Sequence, residues 1–364
     1  MTEKIPVGIL GATGMVGQQY IHLLENHPWF RVAYLAASPQ SAGKKYVDAL
    51  RSGWHVAGDI PADVAELEVH DVADVTSAAA ACKLVFSAFE MPDKDAIRAA
   101  ENAYAAAGLA VFSNASAHRN TSNVPMLIPE INAHHLDIVA AQQKANGWDR
   151  GFIAVKPNCS LQSYLTPIFA LMQAGYEVEK LIITTMQAVS GAGYPGVSSL
   201  DMIDNVLPYI GGEEEKTEAE PLKILGKIEG DNIVSVSNIA ISAHCNRVPV
   251  SDGHLATVSV GFGAKKPSIE EIKTIWKNFT GEPQKLGLPM APLQAIHYRE
   301  EENRPQPKKD RDTDKGMAVT VGRLRKCNVL DVRFVGLSHN TVRGAAGGGI
   351  LNAELAYKKG LLVV

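Results

Sequence analysis

One cysteine carries the most chemically suggestive context in the chain. Cys159 sits in Val155-Lys156-Pro157-Asn158-Cys159-Ser160, directly ahead of the apolar run CSLQSYLTPIFALMQAG, which reads as one long helix. A thiol at a helix N-terminus meets free N–H groups and partial positive charge, which favour the thiolate. An unperturbed thiol, with a pKa of about 8.5, is only a few per cent ionised at neutral pH. Asn158 and the first helical N–H groups are placed to hold a developing oxyanion. Taken alone, the Asn-Cys pair also suits a plain helix cap, so the choice rests on what else the chain carries.

A second constellation lies at the other end. Gly11-Ala12-Thr13-Gly14-Met15-Val16-Gly17 falls between an apolar strand, IPVGIL, and a helix. Glycines there permit a tight turn and close backbone approach to a pyrophosphate, while the helix N-terminus offers N–H donors. The spacing G-x-x-G-x-x-G is a variant of the usual dinucleotide fingerprint, and its place between strand and helix gives it meaning. Gly11, Thr13, Gly14, Met15 and Val16 are therefore candidate cofactor contacts. After the second strand, RVAYLAA, an enzyme using NAD would carry an acid for the ribose hydroxyl. The chain has Ser38-Pro39-Gln40-Ser41-Ala42-Gly43-Lys44-Lys45 instead. Hydroxyls at Ser38 and Ser41 with two lysines favour NADP(H), whose 2′-phosphate needs donors and positive charge. A nicotinamide site ahead of a cysteine implies aldehyde oxidation through a thiohemiacetal, leaving a thioester for a second nucleophile.

The elements that position these residues form two groups. Up to about residue 157, strands (IPVGIL, RVAYLAA, KLVFSAF, LAVFSNAS) alternate with helices, which predicts a parallel sheet covered on both faces. Beyond it, KLIITTMQAVS, NIVSVSNIAISAHCNRVPV, HLATVSVGF and two strands within GMAVTVGRLRKCNVLDVRFVGLS surround the amphipathic helix SIEEIKTIWKNF. That order predicts an α+β domain with a mainly antiparallel sheet. EENRPQPKKDRDTDKG reads as a surface loop or arm. The last segment, NTVRGAAGGGILNAELAYKKG, reads as a helix after a Gly-rich entry.

Composition removes several classes. The 364 residues carry 35 basic and 39 acidic side chains, net −4, with 46% hydrophobic residues. That gives no electrostatic case for nucleic acid, and no apolar run is long enough for a membrane. MTEKIPVGIL lacks a signal layout, so a cytoplasmic location is expected. Cys82, Cys159, Cys245 and Cys327 are widely spaced, so neither a disulfide framework nor a metal site is expected. Cys82 and Cys327 read as strand-edge core residues.

Taken in order, GATGMVGQ, NASAHR, LIPEIN, PNCS, MQAVSGAGYPG, GEEEK, NRVPVSDGH and NTVRGAAGG resemble aspartate-semialdehyde dehydrogenases. RPQP and DRD in the late loop point to the branch found in archaea and fungi. The resemblance runs from about residue 5 to the C-terminus, with PNCS and R-V-P-x-x-x-x-H its most specific pieces. It implies interconversion of L-aspartate 4-semialdehyde, phosphate and NADP⁺ with L-4-aspartyl phosphate and NADPH, toward lysine, threonine and methionine. Carried over by motif, Cys159 would be the nucleophile and His254 the acid/base. Arg247 would clamp the substrate α-carboxylate, and Glu213 its amino group. Lys216 and Arg119 would meet phosphate, and Gln187 would position substrate near Cys159. Gly191 and Asn340 would lie near the nicotinamide.

Each role has a plainer alternative. Glu213, Lys216 and Glu220 also fit a solvated helix face, Glu214 and Glu215 allow a slip of one residue, and His244 is a rival to His254. The resemblance implies a Rossmann domain of residues 1–157 and 341–364, a catalytic and oligomerisation domain of 158–340, and a homodimer or homotetramer. Malonyl-CoA reductase and N-acetylglutamyl-phosphate reductase share the Cys–His machinery and are the nearest alternatives; a non-catalytic dinucleotide sensor is a further one.

Overall fold

Strands that are apolar on both faces require helices on both faces. The computed structural model, which describes residues 3–50 and 53–362, satisfies this in its first half. Its seven-stranded sheet runs Lys44–Lys45, Glu68–Asp71, Phe30–Ala37, Ile5–Leu10, Leu84–Ser87, Ala110–Ser113, Phe152–Val155. All neighbours are parallel except the short Lys44–Lys45 strand, which pairs antiparallel. Val7, Ile9, Leu35, Phe86 and Phe112 pack with Tyr20 and Ile21 of the helix Met15–Leu24. Residues of opposite parity, such as Val85, Val111 and Ile153, pack on the other side with Ala78 and Tyr104.

The second sheet runs Ala240–Arg247, Val178–Gln187, His254–Phe262, Val332–Ser338, Val319–Lys326, Ile296–Arg299. Its three central pairings are antiparallel and its two edge pairings parallel. Burial alternates along Val178–Gln187, with Leu181, Ile183 and Thr185 inward and Lys180 and Ile182 outward. The inner face is covered by the helices Leu165–Gln173 and Ile269–Asn278. Trp276 anchors the latter, donating its ring N–H to the Pro167 carbonyl at 2.9 Å. Ser268 and Glu271 start that helix with a capping box.

Three segments differ from the sequence reading. The run after Cys159 is two elements: a 3₁₀ turn, Cys159–Ser163, and the α-helix Leu165–Gln173, with a break at Tyr164. Pro167 explains the break. It has no N–H and is tolerated only in a first turn, so an α-helix containing it must begin near Leu165. NIVSVSNIAISAHCNR also divides, into Asn232–Val234 of a separate hairpin and Ala240–Arg247 of the large sheet. The late polar stretch is packed rather than an arm. Asp310 is buried and accepts hydrogen bonds from Arg299, Arg304 and the Gln306 N–H.

The C-terminal segment returns to the first sheet. A π-helical turn, Val342–Ala346, leads into the helix Gly347–Lys358. At Gly349 a Cβ would fall 1.9 Å from the Tyr20 hydroxyl, so glycine permits this packing. Glu354 closes the contact through His27 at 2.7 Å, with both side chains buried.

Buried histidines give the fold a pH dependence. Burial pushes His135 down to about 4 and His254 down to about 3. In the unfolded chain both take a proton near 6.5. Their stability contribution is therefore complete above that value and is lost as pH falls from it toward 4. Each costs about 1.4 kcal/mol per pH unit in that window. Glu101 and His118 face each other at 3.9 Å; burial raises the first to about 7 and lowers the second to about 4, so they offset one another. Urea denaturation is expected to show stability falling between about pH 6.5 and 4, by up to roughly 3 kcal/mol per unit. A flat profile there would contradict the burial of these rings.

Candidate active site

Open α/β sheets bind ligands beyond the carboxyl ends of their strands, where the strand order reverses. Here that point lies between Ile5–Leu10 and Leu84–Ser87. The cleft there, about 420 Å³, is lined by Met15, Val16, Ala88, Phe89, Asn114 and Arg119 on one side. Asn158, Cys159, Ser190, Gly191, Glu213, Lys216, Asn340 and Gly344 line the other.

The glycine turn leads into Met15 and Val16 of that lining. Gly11 has φ +81°, and a Cβ on it would lie 2.6 Å from the Ala88 carbonyl oxygen. A Cβ on Gly17 would lie 2.2 Å from the Gly11 carbonyl oxygen. Gly14 precedes the helix Met15–Leu24 with no side chain capping it, which leaves the first N–H groups for a ligand. A cradle that tolerates no Cβ, at an uncapped helix start, fits a dinucleotide pyrophosphate. Of this turn only Met15 and Val16 line the cleft; Gly11, Thr13 and Gly14 do not, and the Thr13 carbonyl accepts from Gln18 at 3.0 Å. Ser38 and Ser41 lie beyond the cleft at the end of the second strand, closing a turn through Ser41 N–H to Ser38 O at 2.9 Å. Lys44 donates to the Gln40 carbonyl and Lys45 to Glu66.

Cys159 is half-buried at the junction of the two sheets, just beyond the strand Phe152–Val155. A Cβ on Gly344 would meet the Cys159 Cβ at 2.8 Å, so the π-helical turn presses directly on this cysteine. The expectation of a helix-stabilised thiolate is corrected here. Cys159 opens a 3₁₀ turn instead of an α-helix, and enclosure by protein, with Glu213 adding to it, pushes the thiol up to about 12. Arg119, Arg247 and Lys156 pull in the other direction. The other free cysteines lie outside the cleft: Cys82 and Cys245 are buried, and Cys327 is half-exposed rather than core.

Glu213 begins the helix Glu213–Ile224 and is buried, while Glu215 is exposed and Glu214 accepts the Cys245 N–H. Burial alone would raise its carboxyl, but donors outweigh that and hold it below the usual range. They are Asn158 Nδ2 at 2.7 Å, Lys216 Nζ at 3.0 Å and Gln187 Nε2 at 3.1 Å. Two expected roles change as a result. Asn158 points its amide at Glu213 and its oxygen at Ser160, and its backbone N–H meets Glu220, so these groups are committed rather than free for an oxyanion. Gln187 donates to Glu213 and, like Arg247 and His254, stands behind the cleft-lining residues.

The helix face is not solvated. Glu213, Thr217, Glu220 and Ile224, at helical spacing, are all buried. Glu220, to which the sequence motifs give no role, accepts from Arg119 at 2.9 Å and from the Asn158 N–H at 2.6 Å. It aims Arg119 into the cleft. Lys223 on the same helix donates to the carbonyls of Arg119, Thr121 and Val124, fixing the loop that carries Arg119.

His254 starts a strand and is fully buried. Its Nδ1 accepts the Ala188 N–H at 3.0 Å, which places the proton of the neutral ring on Nε2. Nε2 has no hydrogen-bond partner among the described residues. Arg247 ends the neighbouring strand Ala240–Arg247 and donates to the Ala188 carbonyl at 2.8 Å. His244, the rival, is 78% exposed on the sheet's open face. Asn340 bridges Ser190 and the Gly253 N–H, so it fixes the two turns that flank His254. Gly191 lies between these groups: a Cβ on it would sit 2.7 Å from Arg247 Nη1 and 3.1 Å from His254 Nε2. Gly191→Ala is expected to cost about 10²-fold in kcat/KM, the scale of a 1 Å misplacement, with the melting temperature little changed. Near-wild-type kinetics would show that this gap is not where substrate binds.

Fold and cleft together define a class, a dinucleotide-binding dehydrogenase. The chain matches the semialdehyde dehydrogenase NAD-binding domain over residues 6–139 and the semialdehyde dehydrogenase dimerisation domain over 168–343. Relatives named aspartate-semialdehyde dehydrogenase include one from Schizosaccharomyces pombe, 44% identical over 98% of this chain and 99% of the relative. Another, from Archaeoglobus fulgidus, is 44% identical over 99% of this chain and 100% of the relative. A crystal structure of the Candida albicans aspartate-semialdehyde dehydrogenase with NADP superposes with a TM-score of 0.90, at 39% identity, covering 99% of this chain and 100% of that one. The chain belongs to the aspartate-semialdehyde dehydrogenase family.

Proposed function

We propose that this cleft interconverts L-4-aspartyl phosphate and NADPH with L-aspartate 4-semialdehyde, phosphate and NADP⁺, using Cys159 as the acyl carrier. The single observation that carries this reading is the line-up of Cys159, Glu213, Arg119 and Lys216 along one cleft, with Arg247 and the partnerless Nε2 of His254 directly behind its Gly191 wall. An amino acid phosphate presents an ammonium, a carboxylate and a phosphoryl group, and each finds a complement here. Glu213 meets the ammonium and Arg247 the α-carboxylate, where a guanidinium binds two oxygens at once. Arg119 and Lys216 take the phosphate.

Atoms and charge balance at each step. The Cys159 sulfur adds to the acyl carbon and the C–O bond to phosphate breaks; the thiol proton leaves on phosphate, and a thioester remains. His254 donates its Nε2–H as a hydrogen bond to the oxygen that turns negative in the tetrahedral adduct. NADPH, when bound in the glycine cradle, supplies the hydride that reduces the thioester. With one proton from solvent the aldehyde departs and the Cys159 thiol is restored.

Residues 1–157 with 341–364 would form the NADP(H) domain, and 158–340 the catalytic and oligomerisation domain. Exposed Leu200, Ile203, Tyr209 and Ile182 in the second domain support self-association as a homodimer or homotetramer. A nucleophilic free thiol suits the reducing cytosol. The deciding assay is phosphate-dependent NADP⁺ reduction with aspartate semialdehyde. No turnover there, with NADPH oxidised by malonyl-CoA, would overturn the substrate assignment.

A further inference from the structure

We propose that Lys156 is a positioning residue for the nucleophile, a buried ammonium behind Cys159 that pins the π-helical turn against it and favours its ionised form. The inference rests on reading Cys159 as the nucleophile.

Lys156 lies three residues before Cys159, in the loop leaving the strand Phe152–Val155, and is 3% exposed. Its Nζ donates to the Arg343 carbonyl at 2.9 Å. The next residue, Gly344, is the one pressed on the Cys159 Cβ. The ammonium therefore holds the surface against which the nucleophile is set. The last helix leaves room for it through Gly348, where a Cβ would come 2.5 Å from Nζ.

A simple strut does not need this residue. Burying an ammonium is costly unless it is well paired. Lys223 shows the satisfied case, with three carbonyl acceptors for three protons. Lys156 has one protein acceptor among the described residues. A neutral donor of similar length would make that bond without the cost of a charge. What the charge adds is its field at the sulfur, alongside those of Arg119 and Arg247.

The groups acting on Lys156 are Arg343 and Arg119, which oppose its charge, and Cys159 and Glu130, which favour it. Burial, then Arg343, push it down to about 7. It is charged below that value and neutral above it, so its support for the thiolate fades as pH rises through neutrality.

Alkylation of Cys159 by iodoacetamide, followed by peptide mass across about pH 6 to 9 on the full chain without substrate, tests this. It reads the sulfur directly, so it is independent of whether turnover follows the proposed steps. Lys156→Met keeps the length and removes the charge. It is expected to slow alkylation at neutral pH roughly threefold to tenfold, a shift of half to one pK unit. Gly348→Ala keeps the lysine, but its Cβ would meet the Arg343 carbonyl oxygen at 2.4 Å and Nζ at 2.5 Å, so it disturbs acceptor and ammonium together and is expected to give part of the same shift. If both variants fold and follow the wild-type profile, the proposal is overturned. If Lys156→Met does not fold, the wild-type profile decides. A slope of log rate against pH below one across neutrality supports the proposal, and a slope of one throughout overturns it.

Discussion

Cys159→Ala is expected to leave NADP binding within about twofold of wild type while turnover falls by roughly 10⁴-fold or more, the scale of losing a covalent nucleophile. The two sites are built separately, which is why the effects should divide. The cofactor cradle depends on Gly11, Gly14 and Gly17 in the first sheet's opening turn. Cys159 stands elsewhere in the chain, after the strand Phe152–Val155. In the proposed scheme, removing its sulfur takes away the atom that displaces phosphate and leaves the turn untouched. Cofactor titration and the phosphate-dependent assay would read the two halves independently. Wild type incubated with the acyl phosphate should gain one aspartyl mass on the Cys159 peptide, and the alanine variant none. Retained turnover in the variant would remove the thioester from the scheme.

His254→Asn is expected to lower kcat by roughly 10²- to 10³-fold, the usual range for an acid/base or oxyanion donor. Asparagine offers an acceptor for the Ala188 N–H but cannot reproduce the donor at the Nε2 position. Burial, reinforced by Arg247, pushes His254 down to about 3. The ring is therefore neutral through the whole working range, and it should contribute no acid limb to kcat/KM between about pH 5 and 8. An inflection near 6.5 that disappears in the asparagine variant would mean that the ring titrates normally. A loss below about tenfold would mean that the adduct oxygen finds its donor elsewhere.

Much of this was legible in the sequence, for physical reasons that also mark where legibility ends. Alternation of apolar strands and helices revealed the covered parallel sheet, and glycine at three-residue spacing revealed the turn. Amide side chains were a different matter. Asn158, Gln187 and Asn340 were placed near the chemistry, but an amide's work is defined by the partners it meets, and those come from Glu213, Ser190 and Gly253. Glu220 looked solvated because polar residues usually face water. Its burial depends on Arg119, a residue 101 positions away. The thiol was judged by the helix expected behind it, when enclosure by both sheets governs its ionisation.

The contact between Gly344 and Cys159 has a consequence for how the enzyme is made. A ribosome delivers Cys159 long before Gly344. Until the late segment emerges, the sulfur has no π-turn behind it, and the Lys156 ammonium lacks the Arg343 carbonyl that holds it. The surroundings of this cysteine are thus completed by a segment synthesised long after it. A nascent chain carries the cysteine without the enclosure that raises its thiol, so its ionisation is set only once the late segment has docked.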